Sequence, residues 1–107
     1  MSTELNNPIA AVAEASPATR MERIRARLEA ALSPVECVLE DDSASHRGHA
    51  GAASGGGHYN VRIISSKFEG LRLVMRHRLV YDSVHDMMHN EIHALAIVAL
   101  APSEAGY

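Results

Sequence analysis

The first regular pattern in the chain is a helical one. Between residues 18 and 32 apolar side chains recur every three or four positions, as on one buried face of a helix. These positions are Met21, Ile24, Leu28 and Leu32. Thr19 is the predicted N-cap, with Glu22 three residues later completing a capping box. Ser33 and Pro34 are expected to end the helix.

Two segments alternate between apolar and polar residues, which predicts two strands with one buried face each. The first covers residues 35–40 and the second residues 58–66. Their buried positions are predicted to be Val35, Cys37 and Leu39 in the first strand and Tyr59, Val61 and Ile63 in the second. Residues 41–57 between them are rich in Asp, Ser, Ala and Gly and are predicted to form a long loop, a feature that is often functional.

The helical pattern returns over residues 71 to about 89 and is followed by a third strand. The predicted apolar stripe of this second helix is Leu73, His77, Val80, Val84 and Met87 or Met88. A break near Met75 would separate a short helical turn from the main helix. Asn90 suits the left-handed residue at a helix end. Residues 92–100 are apolar on both faces, which predicts a strand covered on both sides.

The order of elements is therefore α-β-β-α-β. The first two strands should pair antiparallel, and a right-handed crossover makes the third strand parallel to the second. The predicted fold is a two-layer α+β sandwich, with both helices on one face of a three-stranded mixed sheet. Residues 1–17 are predicted to be a flexible N-terminal extension, residues 18–102 the domain and residues 103–107 a short tail.

Composition narrows the possible functions. A chain of 107 residues with 47% apolar residues has room for one modest core. No segment reaches the length of a membrane span or resembles a secretory signal. The single cysteine, Cys37, excludes an internal disulfide. The expected location is therefore the cytoplasm. The net charge of −3 argues against strong non-specific nucleic-acid binding. The seven histidines are the most distinctive residues, because neutral imidazole ligates metals.

Three sequence blocks carry a family resemblance. They are Phe68-Glu69-Gly70, residues 76–81 (RHRLVY) and residues 92–95 (IHAL). With their spacing they resemble the BolA family signature, over roughly residues 20–102. The loop before the second strand is also similar, with an acidic start and histidines at His49 and His58.

The resemblance implies a class II KH-like fold and no catalytic activity. It implies a monothiol glutaredoxin as partner, with a [2Fe–2S] cluster shared between the two proteins and not expected in the isolated, monomeric chain. His93 matches the family's cluster ligand, and His49 matches a second ligand in the loop. The loop departs from the family pattern, however, and leaves His46 open as an alternative to His49. Glutaredoxin and its bound glutathione would supply the thiolates.

The family also includes bacterial members described as stress-linked DNA-binding transcription regulators. Four basic residues could contact phosphates on such a surface, namely Lys67, Arg72, Arg76 and Arg78. The alternative is a solvated helix face whose arginines pair with neighbouring acids. Gly70-Leu71-Arg72 stands where the family usually has Gly-Lys-Ser. The Gly-x-x-Gly loop with which KH domains hold a nucleic-acid backbone is also missing from the sequence, and both differences argue against nucleic-acid binding.

The other candidate residues have simpler interpretations. His77 is expected to make a core contact or a helix–sheet hydrogen bond, His58 to be structural, and Cys37 to act as a small buried hydrophobe. His85 and His89 could form a zinc pair at helical spacing, although exposed surface is the default for both. No nucleophile–base pair or phosphate loop points to an enzyme.

Overall fold

The computed structural model describes residues 17–43 and 56–107, and its elements follow the predicted order. The helices and strands are α1 (Pro17–Leu32), β1 (Glu36–Asp41), β2 (Gly57–Ile64), α2 (Leu73–Ser83) and β3 (Ile92–Leu100). Short 3-10 turns occupy Ser66–Phe68, His85–Met87 and Pro102–Ala105. The predicted N-terminal extension, except Pro17, and the loop histidines His46 and His49 lie outside the described residues.

The three strands form one mixed sheet in the order β1-β2-β3. β1 pairs antiparallel with β2, where Leu39 lies opposite Val61. β3 pairs parallel with β2, where Ile97 lies opposite the same Val61. The predicted mixed sheet and its α+β class are therefore confirmed.

One hydrophobic core lies between the two helices and the inner face of the sheet. Ile24 and Leu28 of α1 and Val80 of α2 are fully buried in it. The sheet contributes the predicted alternating positions Tyr59, Val61 and Ile63. Both helices thus cover the same face of the sheet, as the periodicity predicted.

Helix α1 begins earlier than expected. Pro17 is its first residue, so Thr19 lies inside the first turn and the prediction of an N-cap at Thr19 is wrong. Proline suits a first helical position because the N–H that it lacks has no partner inside the helix there. The predicted end is confirmed: Ser33 has a positive φ of 45°, and its N–H donates to Glu29 O at 3.0 Å. Within residues 17–43 and 56–107, no helix is long and apolar enough to cross a membrane.

Helix α2 is shorter than predicted; the predicted buried stripe is confirmed at Val80, Val84 and Met87 but is wrong at Leu73 and His77. Arg76, Val80 and Val84 face the core, whereas Leu73 is 62% exposed and His77 is half-buried. Arg76 faces the core in place of His77 because its guanidinium has hydrogen-bond partners inside the fold.

The ends of the second helical segment also differ from the prediction. The interruption falls before Leu73 and not near Met75, because Gly70 adopts a left-handed φ of 73° after the turn Ser66–Phe68. The left-handed residue before β3 is His89, with φ 76°, and not Asn90.

Strand β3 has the predicted bounds but only one covered face. Leu95 and Ala99 are buried, whereas Ala96 and Val98 on the other face are exposed. The expectation of cover on both faces is therefore wrong, because both helices of the described chain lie on one side of the sheet. Antiparallel and mixed sheets commonly leave one face to solvent.

The C-terminal residues are bonded to the rest of the domain. Glu104 pairs with Arg76 of α2, and the Tyr107 hydroxyl donates to Glu36 Oε1 at 2.9 Å. The segment expected to be a polar tail thus makes specific contacts with α2 and β1.

Candidate functional site

His93 occupies a bulge at the start of β3. Ile92 pairs with Gly57 and Ala94 pairs with His58, so His93 is an extra residue between two register positions. A bulge re-aims the side chain that it carries. His93 is accordingly exposed, although Ile92 before it is fully buried.

Backbone hydrogen bonds hold this bulge from both sides. The Gly57 N–H donates to Glu91 O at 3.1 Å, and the His89 N–H donates to Ile92 O at 2.8 Å. The Glu91 carboxylate forms an ion pair with Arg23 of α1. The position of His93 is therefore fixed by the helix layer as well as by the sheet.

Two glycines allow the chain to approach these residues closely. A Cβ atom on Gly56 would lie 2.9 Å from His93 Cβ and 3.2 Å from His93 N. A Cβ atom on Gly57 would lie 2.6 Å from the ring of Tyr59. Gly56 and Gly57, which the sequence analysis placed at the end of a flexible loop, thus also have a packing function.

His58 lies beside His93 at the same end of the sheet. The centroids of the two imidazole rings are 5.1 Å apart, and the ring planes are inclined by 45°. The backbone of His58 is anchored on both sides: its N–H donates to Ser43 Oγ at 3.1 Å, and its carbonyl accepts from Asp42 N at 2.7 Å. Sequence reasoning treated His58 as structural and missed this proximity, because a bulge in a distant strand leaves no periodic signal.

The donor atoms near His93 suit a metal site that is shared with another molecule. The His93 side chain is exposed, and an imidazole nitrogen can ligate iron in place of a thiolate. Residues 17–43 and 56–107 contain no group of three or more His, Cys, Asp or Glu side chains that could hold a metal ion. The exposed His93 imidazole thus fits a ligand role, and among the described residues it belongs to no larger group of potential metal ligands. The predicted ligands His49 and His46 lie outside the described residues.

Cys37 is remote from this site. It pairs with Ile63, which pairs with Ala99, six residues along β3 from His93. Burial raises the pKa of its half-buried thiol, which disfavours the thiolate that metals bind. The placement agrees with a small hydrophobe packed against the core.

The predicted basic residues do not form one surface. Lys67, Arg72 and Arg78 are exposed. Arg76 instead faces the core, where its guanidinium donates to Leu71 O, Ala99 O and both carboxylate oxygens of Glu104. Including Arg76 in a phosphate-contacting surface was therefore wrong, because all of its nitrogens are already bonded inside the fold.

A mainly apolar groove of about 710 Å³ runs along the outer side of α2. Its lining residues are Leu73, Val74, His77, Arg78, Tyr81 and Asp82. Among the described residues the buried Nε2 atom of His77 has no hydrogen-bond partner, so the predicted helix–sheet hydrogen bond is not found at that atom. His85 and His89 are both exposed, which agrees with the expectation that they lie on the protein surface.

Comparisons with known proteins agree on one family. The model of the family described as BolA-like protein matches residues 28–104. The Arabidopsis thaliana protein named Protein BOLA1, chloroplastic, is 46% identical over 89 residues, which cover 80% of this chain and 56% of that protein. The Escherichia coli (strain K12) protein named DNA-binding transcriptional regulator BolA is 37% identical over 76 residues, covering 71% of this chain and 70% of that protein.

A solved structure shares the fold. The BolA domain of SufE1 from Arabidopsis thaliana has a TM-score of 0.70 and 47% identity, covering 79% of this chain and 94% of that chain. The chain spans only 24% of the SufE-like protein 1 of the same plant. The sequence blocks, the sheet topology, the family match and this structural likeness lead to one conclusion: the chain belongs to the BolA-like protein family.

Proposed function

We propose that this chain is a non-enzymatic cytoplasmic adaptor that binds a monothiol glutaredoxin and co-ligates a bridging [2Fe–2S] cluster, for iron–sulfur trafficking or iron sensing. The observation that carries the proposal is the exposed imidazole of His93, re-aimed by a bulge at the end of the sheet. A rigid bulge presents that nitrogen to a partner at little cost in conformational entropy.

Histidine ligation suits a cluster that has to be passed on. An imidazole that replaces a thiolate raises the reduction potential of a [2Fe–2S] centre, as in Rieske proteins. Protons compete with iron for the same nitrogen, so the bond is easier to break than an iron–thiolate bond. These properties favour a carrier or sensor over a permanent electron-transfer centre.

The ligand count favours a partner protein. Two tetrahedral irons bridged by two sulfides need four further ligands. His93 and the loop residue His49, or His46 in its place, would supply two of them. The thiolates of glutaredoxin and glutathione would supply the other two, which makes a heterodimer the natural holder of the cluster.

The test is reconstitution of the cluster in the heterodimer. The full chain, a monothiol glutaredoxin, glutathione, iron and sulfide are mixed anaerobically, and visible absorption and circular dichroism are recorded. His93→Ala should change the spectrum and speed cluster loss, because an iron–nitrogen bond is removed. His85→Ala, which alters another exposed histidine, is the matched control. An unchanged spectrum and lifetime for His93→Ala would reject the ligand assignment.

A DNA-binding regulator is the second candidate function. The Escherichia coli relative carries that name, and Lys67, Arg72 and Arg78 are exposed basic side chains near α2. Neutralising these three residues together should weaken a specific DNA complex and reduce the salt dependence of its affinity, since phosphate contacts release counterions. Gel-shift titrations at several salt concentrations measure both effects. The absence of a specific complex at physiological salt would remove this candidate.

A further inference from the structure

We propose that His58 and His93 form a chelating pair that binds one divalent ion of the zinc class when no partner protein is present. The proposal goes beyond the shared cluster, because it requires neither glutaredoxin nor iron and assigns a ligand role to His58. The observation that carries it is the side-by-side placement of the two imidazoles, with ring centroids 5.1 Å apart and ring planes inclined by 45°.

The separation of the rings fits a single small ion. Zinc–nitrogen bonds are about 2.0–2.1 Å long, and a tetrahedral ion sets two ligating nitrogens roughly 3.4 Å apart. The ring centroids of two such ligands then lie about 5 Å from each other. The observed centroid separation of 5.1 Å between His58 and His93 matches this geometry.

The backbone on both sides of the pair is already fixed. His58 is held at its N–H and carbonyl by Ser43 and Asp42. His93 lies on the bulge that the Gly57–Glu91 hydrogen bond closes, with Gly56 packed against its Cβ atom. Ligands on rigid elements bind metals with a smaller loss of conformational entropy than ligands on free chains.

The donor chemistry selects the ion. Two neutral imidazoles suit zinc, copper and nickel, whereas calcium and magnesium prefer oxygen ligands. No group of three or more metal-binding side chains forms in residues 17–43 and 56–107, so water would complete the coordination. We therefore expect an exchangeable site in place of a permanent structural zinc.

Such an ion would compete with the cluster. A neutral imidazole has one nitrogen lone pair to donate, so a zinc ion bound to His93 would withhold that lone pair from iron. This consequence, unlike the chelate itself, rests on the proposed function. It predicts that added zinc slows cluster assembly in the heterodimer.

The direct test is a zinc titration of the full chain without glutaredoxin, iron or sulfide. Isothermal titration calorimetry at pH 7.5 should give one ion per chain. Imidazole resonances of His58 and His93 should shift together in nuclear magnetic resonance spectra. His58→Gln and His93→Gln should each weaken binding by about 10-fold or more. His85→Gln, which removes an exposed histidine elsewhere, should leave the affinity unchanged.

The loop histidines provide the decisive comparison. The double variant His46→Gln/His49→Gln should keep most of the zinc affinity if His58 and His93 are the ligands. Loss of binding in that variant, or unchanged binding in His58→Gln, would overturn the proposal. If His58→Gln unfolds, the wild-type resonance shifts alone decide the question. The zinc titration contains no glutaredoxin, so a negative result there does not bear on the shared-cluster proposal. Likewise, a negative cluster reconstitution does not bear on zinc binding by His58 and His93.

Discussion

Arg76 binds both carboxylate oxygens of Glu104, with donor–acceptor distances of 2.6 and 3.0 Å. The same guanidinium donates to Ala99 O, and Glu104 also accepts the N–H of Ala101. This fork-like pair ties α2 to the turn that follows β3. The pair lies near the C-terminal end of β3, whereas His93 lies near the N-terminal end of that strand. Removal of the pair should therefore affect stability without changing the candidate metal site.

The first prediction concerns the pH dependence of stability. The hydrogen bond from Arg76, together with the Ala101 N–H, lowers the pKa of Glu104 from 4.5 to about 2. A depressed folded-state pKa gives stability that is present above pH 4.5 and is lost as the pH falls towards 2. Glu104→Gln should therefore be less stable than wild type at pH 7, and the difference should shrink at pH 3. Urea unfolding followed by circular dichroism measures it.

Glu22→Gln is the matched control for this experiment. Glu22 is an exposed carboxylate on α1. Its loss should leave the pH dependence as in wild type. A constant gap between wild type and Glu104→Gln from pH 7 to pH 3 would show that the carboxylate charge does not stabilise the fold.

The second prediction concerns the reactivity of Cys37. Burial raises the pKa of this thiol, so little thiolate is present at neutral pH, and thiolate is the form that reacts with alkylating reagents. Iodoacetamide should modify Cys37 in the folded chain more slowly than it modifies free glutathione. Unfolding in urea should restore the rate. Equal rates in the folded and unfolded chain, measured by mass spectrometry, would contradict the burial argument.

The order of elements and the composition of the core could be predicted because they depend on local periodicity. Ile24 and Leu28 recur at helical spacing, while Tyr59 and Val61 alternate, and each pattern depends only on neighbours in sequence. The bounds of β3 followed from the same local signal. The mixed sheet followed from the connection lengths and the handedness of the crossover.

The features that were missed depend on contacts between distant residues. The helical pattern placed the charged Arg76 on the solvent side of α2. Its core-facing position depends on the hydrogen bond to Glu104, which lies 28 residues further along the chain. The bulge at His93 arises from how β3 registers against β2, which no pattern within β3 reveals. The family resemblance singled out His93, whereas only the three-dimensional structure brings His58 beside it.

The third prediction concerns a hydrogen bond between α2 and β3. The Tyr81 hydroxyl of α2 donates to Leu95 O at 3.1 Å. Tyr81→Phe should lower the free energy of unfolding by about 0.5–1.5 kcal/mol, the usual net contribution of one hydrogen bond. Tyr107→Phe, which loses a solvent-exposed hydrogen bond to Glu36, should have a smaller effect. Urea denaturation of both variants measures the two losses of unfolding free energy. A larger loss for Tyr107→Phe than for Tyr81→Phe would contradict this prediction.

The fourth prediction tests whether Gly56 positions His93. An added Cβ atom on Gly56 would lie 2.9 Å from His93 Cβ, closer than packed carbon atoms come, so the bulge has to move. Gly56→Ala should cost about 1–3 kcal/mol of stability, as overpacking does, and should shift the His93 imidazole resonances. Gly70→Asn is the control: Gly70 has φ 73° with open space around it, and asparagine tolerates that conformation. Unshifted His93 resonances and native stability in Gly56→Ala would mean that the glycine does not set the position of His93.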